Sequence, residues 1–126
     1  KFYHYSAMNL VRYQKKEMKI AKVYMHNRWA GVLTEDEEGY HFQYEKVYLE
    51  LPESEAISLS FPLSGERFNS KTLFPFFDGL IPEGWLLDIA QKNWKLNPRD
   101  RMSILLKTCH DCIGAVSIHE HEENEN

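Results

Sequence analysis

The stretch TLFPFFDGLIPEGWLLD, residues 72–88, is the part of the chain that decides its fold. Nine of its seventeen residues are large and apolar, and Pro75, Gly79, Pro82 and Gly84 interrupt them. Burying one large apolar side chain contributes roughly 1.5–3 kcal/mol to stability, so we expect this stretch in the core. The prolines and glycines indicate that the chain turns sharply while it is buried.

Three helices are predicted from this stretch onward. The first covers about residues 72–79, with Pro75 in its first turn, where the missing N–H costs no hydrogen bond. The second runs from about Pro82 to Trp94, because its apolar residues recur at spacings of three and four. Residues 97–100 then supply a cap for a third helix over about residues 101–107.

Upstream of the quoted stretch, the hydrophobic pattern has a period of two, which predicts strands. Three strands are expected within residues 18–25, 29–33 and 40–44, a fourth over 56–63 and a last one over 115–118. Short polar turns join the first three, which is typical of an antiparallel meander with one buried face. The sequence therefore predicts an α+β domain, a twisted and mainly antiparallel sheet of about five strands with three helices packed on it.

Length and composition indicate one globular domain. The chain has 126 residues, a mass of 14.9 kDa and 43% hydrophobic residues, enough for a single core without disulfides or a metal. We expect residues 18–120 to form this domain, with residues 1–17 as an N-terminal extension. Residues 121–126 would be an acidic, frayed tail.

The charge balance limits the classes of partner. A net charge of -4 and a pI near 5.9 give no field that attracts nucleic acid, so direct DNA or RNA binding is not expected. The basic residues between Arg12 and Lys22 are interpreted as a solvated edge. No apolar run approaches the ~18 residues that a membrane span needs, and no secretion leader is recognised. The expected compartment is the cytoplasm.

Cys109 and Cys112 have the spacing of a redox pair or of half a zinc site. A structural zinc needs four ligands, and the nearby histidines, His119 and His121, adjoin the polar tail. A redox cysteine is activated at a helix N-terminus, whereas this pair follows a predicted helix. We interpret the pair as structural and as reduced in the cytoplasm; a small metal- or redox-active protein that uses these cysteines is the alternative.

No arrangement of residues in the sequence predicts an active site, and no cofactor or metal is expected. A Gly-rich phosphate loop and a Gly-x-Ser-x-Gly nucleophile motif are both missing from the sequence. The polar loop SGERFNSK, residues 64–71, carries Phe68 beside Glu66 and Arg67. Aromatic residues and Arg are enriched at interface hot spots, so this loop is a candidate binding surface. The alternative is that Phe68 folds back onto the sheet.

Four blocks of sequence resemble, in order, the N-terminal subdomain of HipA-type serine/threonine kinase toxins. They are ISLSFPL at residues 57–63, FPFFDGLIPEG at 74–84, DRMSILL at 100–106 and DCIGAV at 111–116. The resemblance covers about residues 18–120. The kinase body of that family, with its catalytic and metal-binding Asp motifs, does not follow in this chain.

This resemblance implies a function in kinase regulation. In the family, the subdomain caps the kinase N-lobe, and separate HipS-like versions act as antitoxins beside a shortened kinase, HipT, and a DNA-binding HipB protein. The resemblance therefore implies a non-catalytic partner that binds and inhibits a separately encoded HipA/HipT-like kinase, with a HipB-like protein in the same complex. A subdomain that completes the kinase in trans is the alternative. The expected partner-binding residues are Glu66, Arg67, Phe68, Asn69 and Trp85.

Overall fold

The computed structural model describes residues 18–109 and 114–121, which form a five-stranded antiparallel sheet with four short helices. In chain order, the elements are β1 (Lys19–Met25), β2 (Arg28–Asp36), β3 (Gly39–Tyr44), α1 (Lys46–Leu49), β4 (Phe68–Ser70), α2 (Pro75–Asp78), α3 (Trp85–Gln91), α4 (Arg101–Thr108) and β5 (Val116–Glu120). The strand order across the sheet is β4-β3-β2-β1-β5, and every neighbouring pair is antiparallel. The predicted α+β class is confirmed.

The meander of β1, β2 and β3 follows the predicted period of two. Ala21, Val23 and Met25 alternate towards the core. A two-residue turn joins β1 to β2 at His26 and Asn27, whose φ angles are 51° and 66°. Two positive φ angles match the twist of a tight hairpin, so the polar turn that the sequence predicts forms here.

The core is dominated by aromatic rings around Phe42. Its ring centroid lies 5.0 Å from that of Phe61, 5.6 Å from Phe77 and 6.4 Å from Phe68. The quoted stretch contributes four buried side chains, Leu73, Phe74, Phe77 and Ile81. Its first half therefore lies in the core as predicted, whereas Leu86 and Leu87 are exposed.

The predicted fourth strand over residues 56–63 is wrong, because the fourth strand is β4. Ile57 and Phe61 are buried as the alternation required, but Leu59 between them is fully exposed. The Ser60 N–H donates to Ser58 Oγ at 3.2 Å, and the Phe61 N–H donates to the Ser58 carbonyl at 3.0 Å. Local serine hydrogen bonds thus replace the strand ladder with a turn.

The helices differ from the prediction in number and extent. Helix α1 over residues 46–49 was not predicted, and α2 covers only Pro75–Asp78 of the predicted residues 72–79. Helix α3 covers Trp85–Gln91 and is shorter than the predicted helix from Pro82 to Trp94. It ends in a Schellman motif: Asn93 has a φ of 58°, and the N–H of the next residue donates to the Ile89 carbonyl at 3.0 Å.

The start of α4 agrees with the predicted cap. Asp100 is the N-cap, and its Oδ1 accepts the Ser103 N–H at 3.1 Å. Among the described residues, no helix is long and apolar enough to cross a membrane. Residues 1–17, predicted as an extension, lie outside the described residues, as do residues 122–126 of the predicted tail.

Candidate functional site

Phe68 is not the exposed aromatic that the sequence predicted. It begins β4 opposite Phe42 and is partly buried against the core. Its ring centroid lies 5.2 Å from that of Phe61 in an edge-to-face arrangement. Phe68 therefore folds back onto the sheet, which was the alternative, and stabilises the short edge strand. Its part in partner binding stays a prediction.

Asn69 follows Phe68 on the opposite face of β4 and contacts a buried histidine. Its Oδ1 lies 2.6 Å from Nδ1 of His41, while its Nδ2 approaches the Arg67 carbonyl at 3.4 Å. The other ring nitrogen of His41, Nε2, lies 3.0 Å from Asp36 Oδ1. Both ring nitrogens of His41 thus lie within hydrogen-bond distance of a side-chain oxygen.

The Asp36 carboxylate is stabilised by this network. Its hydrogen bond with His41, followed by the N–H of Glu38, holds the pKa of the Asp36 carboxyl below its ordinary value. Ligand atoms of Asp36, Glu38 and His41 lie within 4.8 Å of one another, close enough to hold a metal ion. Since the imidazole and Asp36 already pair with protein groups, we interpret the cluster as a hydrogen-bonded network. The strand pattern of the sequence carried no signal for it.

Glu66 and Arg67 remain on the surface, as predicted. The Glu66 N–H donates to Ser64 Oγ at 3.1 Å, which orders the loop before β4. Arg67 lines a polar depression of about 660 Å³. The Lys71 ammonium donates to the Glu38 carbonyl at 3.3 Å beside this depression. The two charged residues of the predicted surface are therefore available to a partner.

Trp85 belongs to a second local cluster, built from α2, α3 and α4. It begins α3 and is partly buried. The Arg101 guanidinium carbon lies 5.5 Å from the ring centroid of Trp85, and Arg101 Nε donates to Asp78 Oδ1 at 2.7 Å. A cation over an indole is favourable, so the Trp85 ring is held in place.

Two exposed leucines follow Trp85 and were missed as surface residues. Leu86 is 59% exposed and Leu87 is 63% exposed. Helix α3 is only seven residues long, and Ile89 is its one buried residue. The helix therefore packs on the core through a narrow face, and the two leucines remain exposed to solvent. We call Trp85, Leu86 and Leu87 the α3 surface. A positioned tryptophan beside exposed aliphatic side chains has the composition of a protein-binding surface.

Cys109 is buried and disulfide-bonded. The expectation that it is a reduced thiol is therefore wrong, and a disulfide sulfur offers no thiolate to a zinc ion. Its Sγ lies 3.6 Å from the Leu80 carbonyl oxygen; because a disulfide sulfur has no proton to donate, this is a packing contact. Cys112 lies outside the described residues.

Comparison with known proteins agrees with this architecture. The family model described as HipA N-terminal domain matches residues 21–119. A protein of Haemophilus influenzae, named only as uncharacterized, is 36% identical over 106 residues, covering 84% of this chain and 96% of that protein. The putative kinase Y4mE of Sinorhizobium fredii is 26% identical over 102 residues, covering 80% of this chain but only 24% of the kinase.

The fold is also that of a solved structure. The N-terminal domain of HipA toxin superposes with a TM-score of 0.66 at 29% sequence identity, covering 87% of this chain and 99% of that one. The match of the family model and the identity to the Haemophilus protein agree with this superposition. The chain belongs to the HipA N-terminal domain family.

Proposed function

We propose that this chain is a non-catalytic component of a toxin–antitoxin system that binds a separately encoded HipA-like serine/threonine kinase and inhibits it. One observation carries the proposal. The chain matches 96% of a small Haemophilus relative but 24% of a putative kinase. The same domain is therefore nearly a whole protein in one relative and a minor part of a kinase in another. We infer that the separate domain retains the surface with which the fused one packs against its kinase body.

The α3 surface supports this role. Arg101 contacts one side of the Trp85 ring. The side chain is therefore already ordered, and binding costs it little conformational entropy. Leu86 and Leu87 add exposed apolar area next to it. Trp is among the residue types that contribute most to interface energy, and we propose that the α3 surface contacts the kinase directly.

The loop before β4 supplies the polar part of the proposed interface. Glu66 and Arg67 are exposed and provide charges for contacts at its rim. Asn69 and Phe68 contribute by holding β4 against His41 and the core, respectively. Inhibition then requires that the chain binds an inactive arrangement of the kinase more tightly than the active one. The proposed setting is the cytoplasm, with a HipB-like DNA-binding protein in the same complex.

The test is co-purification with a separately encoded HipA-like kinase of the same organism, followed by a phosphotransfer assay with and without the chain. We expect a stable complex and a fall in phosphotransfer. A complex with raised phosphotransfer would instead support the alternative, in which the chain completes the kinase in trans. Failure of the two proteins to associate would contradict both.

A further inference from the structure

Two tyrosine hydroxyls hold the irregular segment that joins α1 to β4. The hydroxyl of Tyr44 accepts the Ile57 N–H at 3.0 Å and donates to the Phe61 carbonyl. The hydroxyl of Tyr48 accepts the Glu55 N–H at 3.0 Å and donates to the carbonyl of the same residue at 2.6 Å. Because one hydroxyl can donate and accept at once, each tyrosine fastens the backbone through two bonds.

The two tyrosines are themselves immobilised. Both are buried, and their rings stack with centroids 6.0 Å apart and planes 9° apart. Tyr44 also meets Phe42 edge to face at 5.0 Å. The backbone between residues 55 and 61 is thus fastened to the rigid core, although it has no helix or strand of its own.

The hydrogen-bonded segment of residues 55–61 places the Leu59 side chain in solvent. Ile57 and Phe61, on either side, are 6% and 2% exposed, whereas Leu59 is 102% exposed. The bonds that Ser58 makes to the N–H groups of Ser60 and Phe61 close the turn between them. A single exposed leucine is ordinary on a protein surface, but one held at the tip of a turn by two buried tyrosines is preorganised.

The surroundings of Leu59 in the chain are uncharged. Residues 56–65, AISLSFPLSG, contain no charged residue, although 27% of the chain is charged. Leu63 within this run is also exposed, at 41%. Interface cores are depleted of charged residues, so the tip has the chemistry of an interface core and not of a solvated loop.

We propose that Leu59 enters an apolar pocket on the HipA-like kinase, an inference that rests on the proposed function. The choice of the kinase as the occupant rests on the relatives: most of the putative kinase Y4mE lies outside the matched 24%, so the matched domain and that larger remainder belong to one chain there. The preformed turn lowers the cost of ordering the contact. Leu59 is then a second anchor, separate in sequence from the α3 surface.

The experiment measures the affinity of the purified kinase for the chain and for Leu59→Ala. We expect the variant to bind about tenfold more weakly or worse, with an unchanged unfolding midpoint because the side chain is fully exposed. Val47→Ala is the matched control, since Val47 is an aliphatic residue that is 71% exposed on α1. The control should bind like the parent chain.

The outcomes separate this inference from the proposed function. If the parent chain does not bind the kinase, the proposed function fails and the inference fails with it. If the parent binds and Leu59→Ala binds equally well, the inference is overturned while the proposed function stands. Equal weakening by Val47→Ala would also overturn it, because the effect would then not be specific to the turn.

Discussion

Arg101 lies over the indole ring of Trp85, 5.5 Å from its centroid, while its Nε donates to Asp78. One guanidinium thereby connects the start of α4 to the end of α2 and to the first residue of α3. Two of the blocks that carry the family resemblance, residues 74–84 and 100–106, meet at this contact. Its role is to position Trp85 at the α3 surface.

Replacing Arg101 with Met should loosen this contact. The ion pair is partly exposed, at 32% and 42% for its two side chains, so the charge contributes modestly. Together with the lost cation–π contact, we expect a destabilisation of about 1 kcal/mol in urea unfolding. Arg99→Met, at an exposed position, is the control. A variant as stable as the parent would show that the guanidinium does not hold Trp85.

Leu87→Asp should weaken binding to the kinase without unfolding the domain. Leu87 is 63% exposed, so its replacement should change stability by no more than about 0.5 kcal/mol. At an interface, a buried unpaired carboxylate is costly, and we expect at least a tenfold loss of affinity, measured by calorimetry. Gln91→Asp, exposed on the same helix, serves for comparison. Undiminished affinity of Leu87→Asp would exclude the α3 surface from the interface.

Gly31→Ala should destabilise the sheet. A Cβ at residue 31 would lie 2.6 Å from the Gln43 carbonyl oxygen and 2.7 Å from the Phe42 ring, and neither the strand backbone nor the core ring can move aside freely. Overpacking of this kind costs about 1–3 kcal/mol, measurable by urea unfolding. Gly65→Ala is the matched control, since a Cβ there meets nothing within 4 Å. Equal stability of the two variants would contradict this account.

Tyr44→Phe should lower the free energy of unfolding, because it removes a buried hydroxyl that makes two hydrogen bonds. The change leaves the Ile57 N–H and the Phe61 carbonyl without the partner that the hydroxyl provides. Leaving buried polar groups unsatisfied costs about 1–3 kcal/mol, and we expect that loss in chemical unfolding. Tyr24→Phe, at a partly exposed position of β1, should have a smaller effect. A larger loss of stability in Tyr24→Phe than in Tyr44→Phe would contradict a stabilising role of the Tyr44 hydroxyl.

Stability should fall in acid in a way that depends on Asp36. Its pKa is lowered in the folded state, chiefly by the hydrogen bond with His41. The stabilisation is therefore present above the unfolded-state value, about 3.9, and is lost as the pH falls through the lower folded value. Asp36→Asn should be less stable near neutral pH and lose less stability below about pH 4 than the parent.

The measurement is urea unfolding over a series of pH values. Glu83→Gln, which removes an exposed carboxylate after Pro82, controls for the general effect of losing one negative charge. His41→Gln should reduce the acid dependence in the same direction as Asp36→Asn, because it removes the imidazole side of the same hydrogen bond. Parallel pH profiles for the parent and Asp36→Asn would contradict the predicted coupling.

Several parts of the fold were predictable because their causes are local in the chain. Alternation of apolar residues predicted β1, β2 and β3, and the position of Asp100 predicted the start of α4. Pro75 likewise lies in the first turn of α2 as predicted, although the helix begins at Pro75 and not at residue 72. These features depend on neighbouring residues only: the period of the side chains, a capping carboxylate and a fixed φ angle.

The surface was less predictable, because exposure depends on what packs from elsewhere. Phe68 looked exposed in a polar loop, yet it pairs with Phe42, which lies far away in sequence. Leu59 fitted a strand pattern, yet Ser58 closes a turn there. The sequence singled out Trp85 as a partner-binding residue, which stays a prediction, but it did not indicate that Arg101 would lie over the ring.

By itself, therefore, the sequence determined the class of the fold, the hairpins and the aromatic core, since these follow from periodicity, turn residues and apolar content. The four ordered blocks also determined the family. Only the tertiary structure decided which side chains reach the surface and which are held there. Three contacts join residues that are distant in the chain: the His41 network, the hydrogen bonds of the Tyr44 hydroxyl, and the contact of Arg101 with Trp85. No local pattern encodes such a pairing.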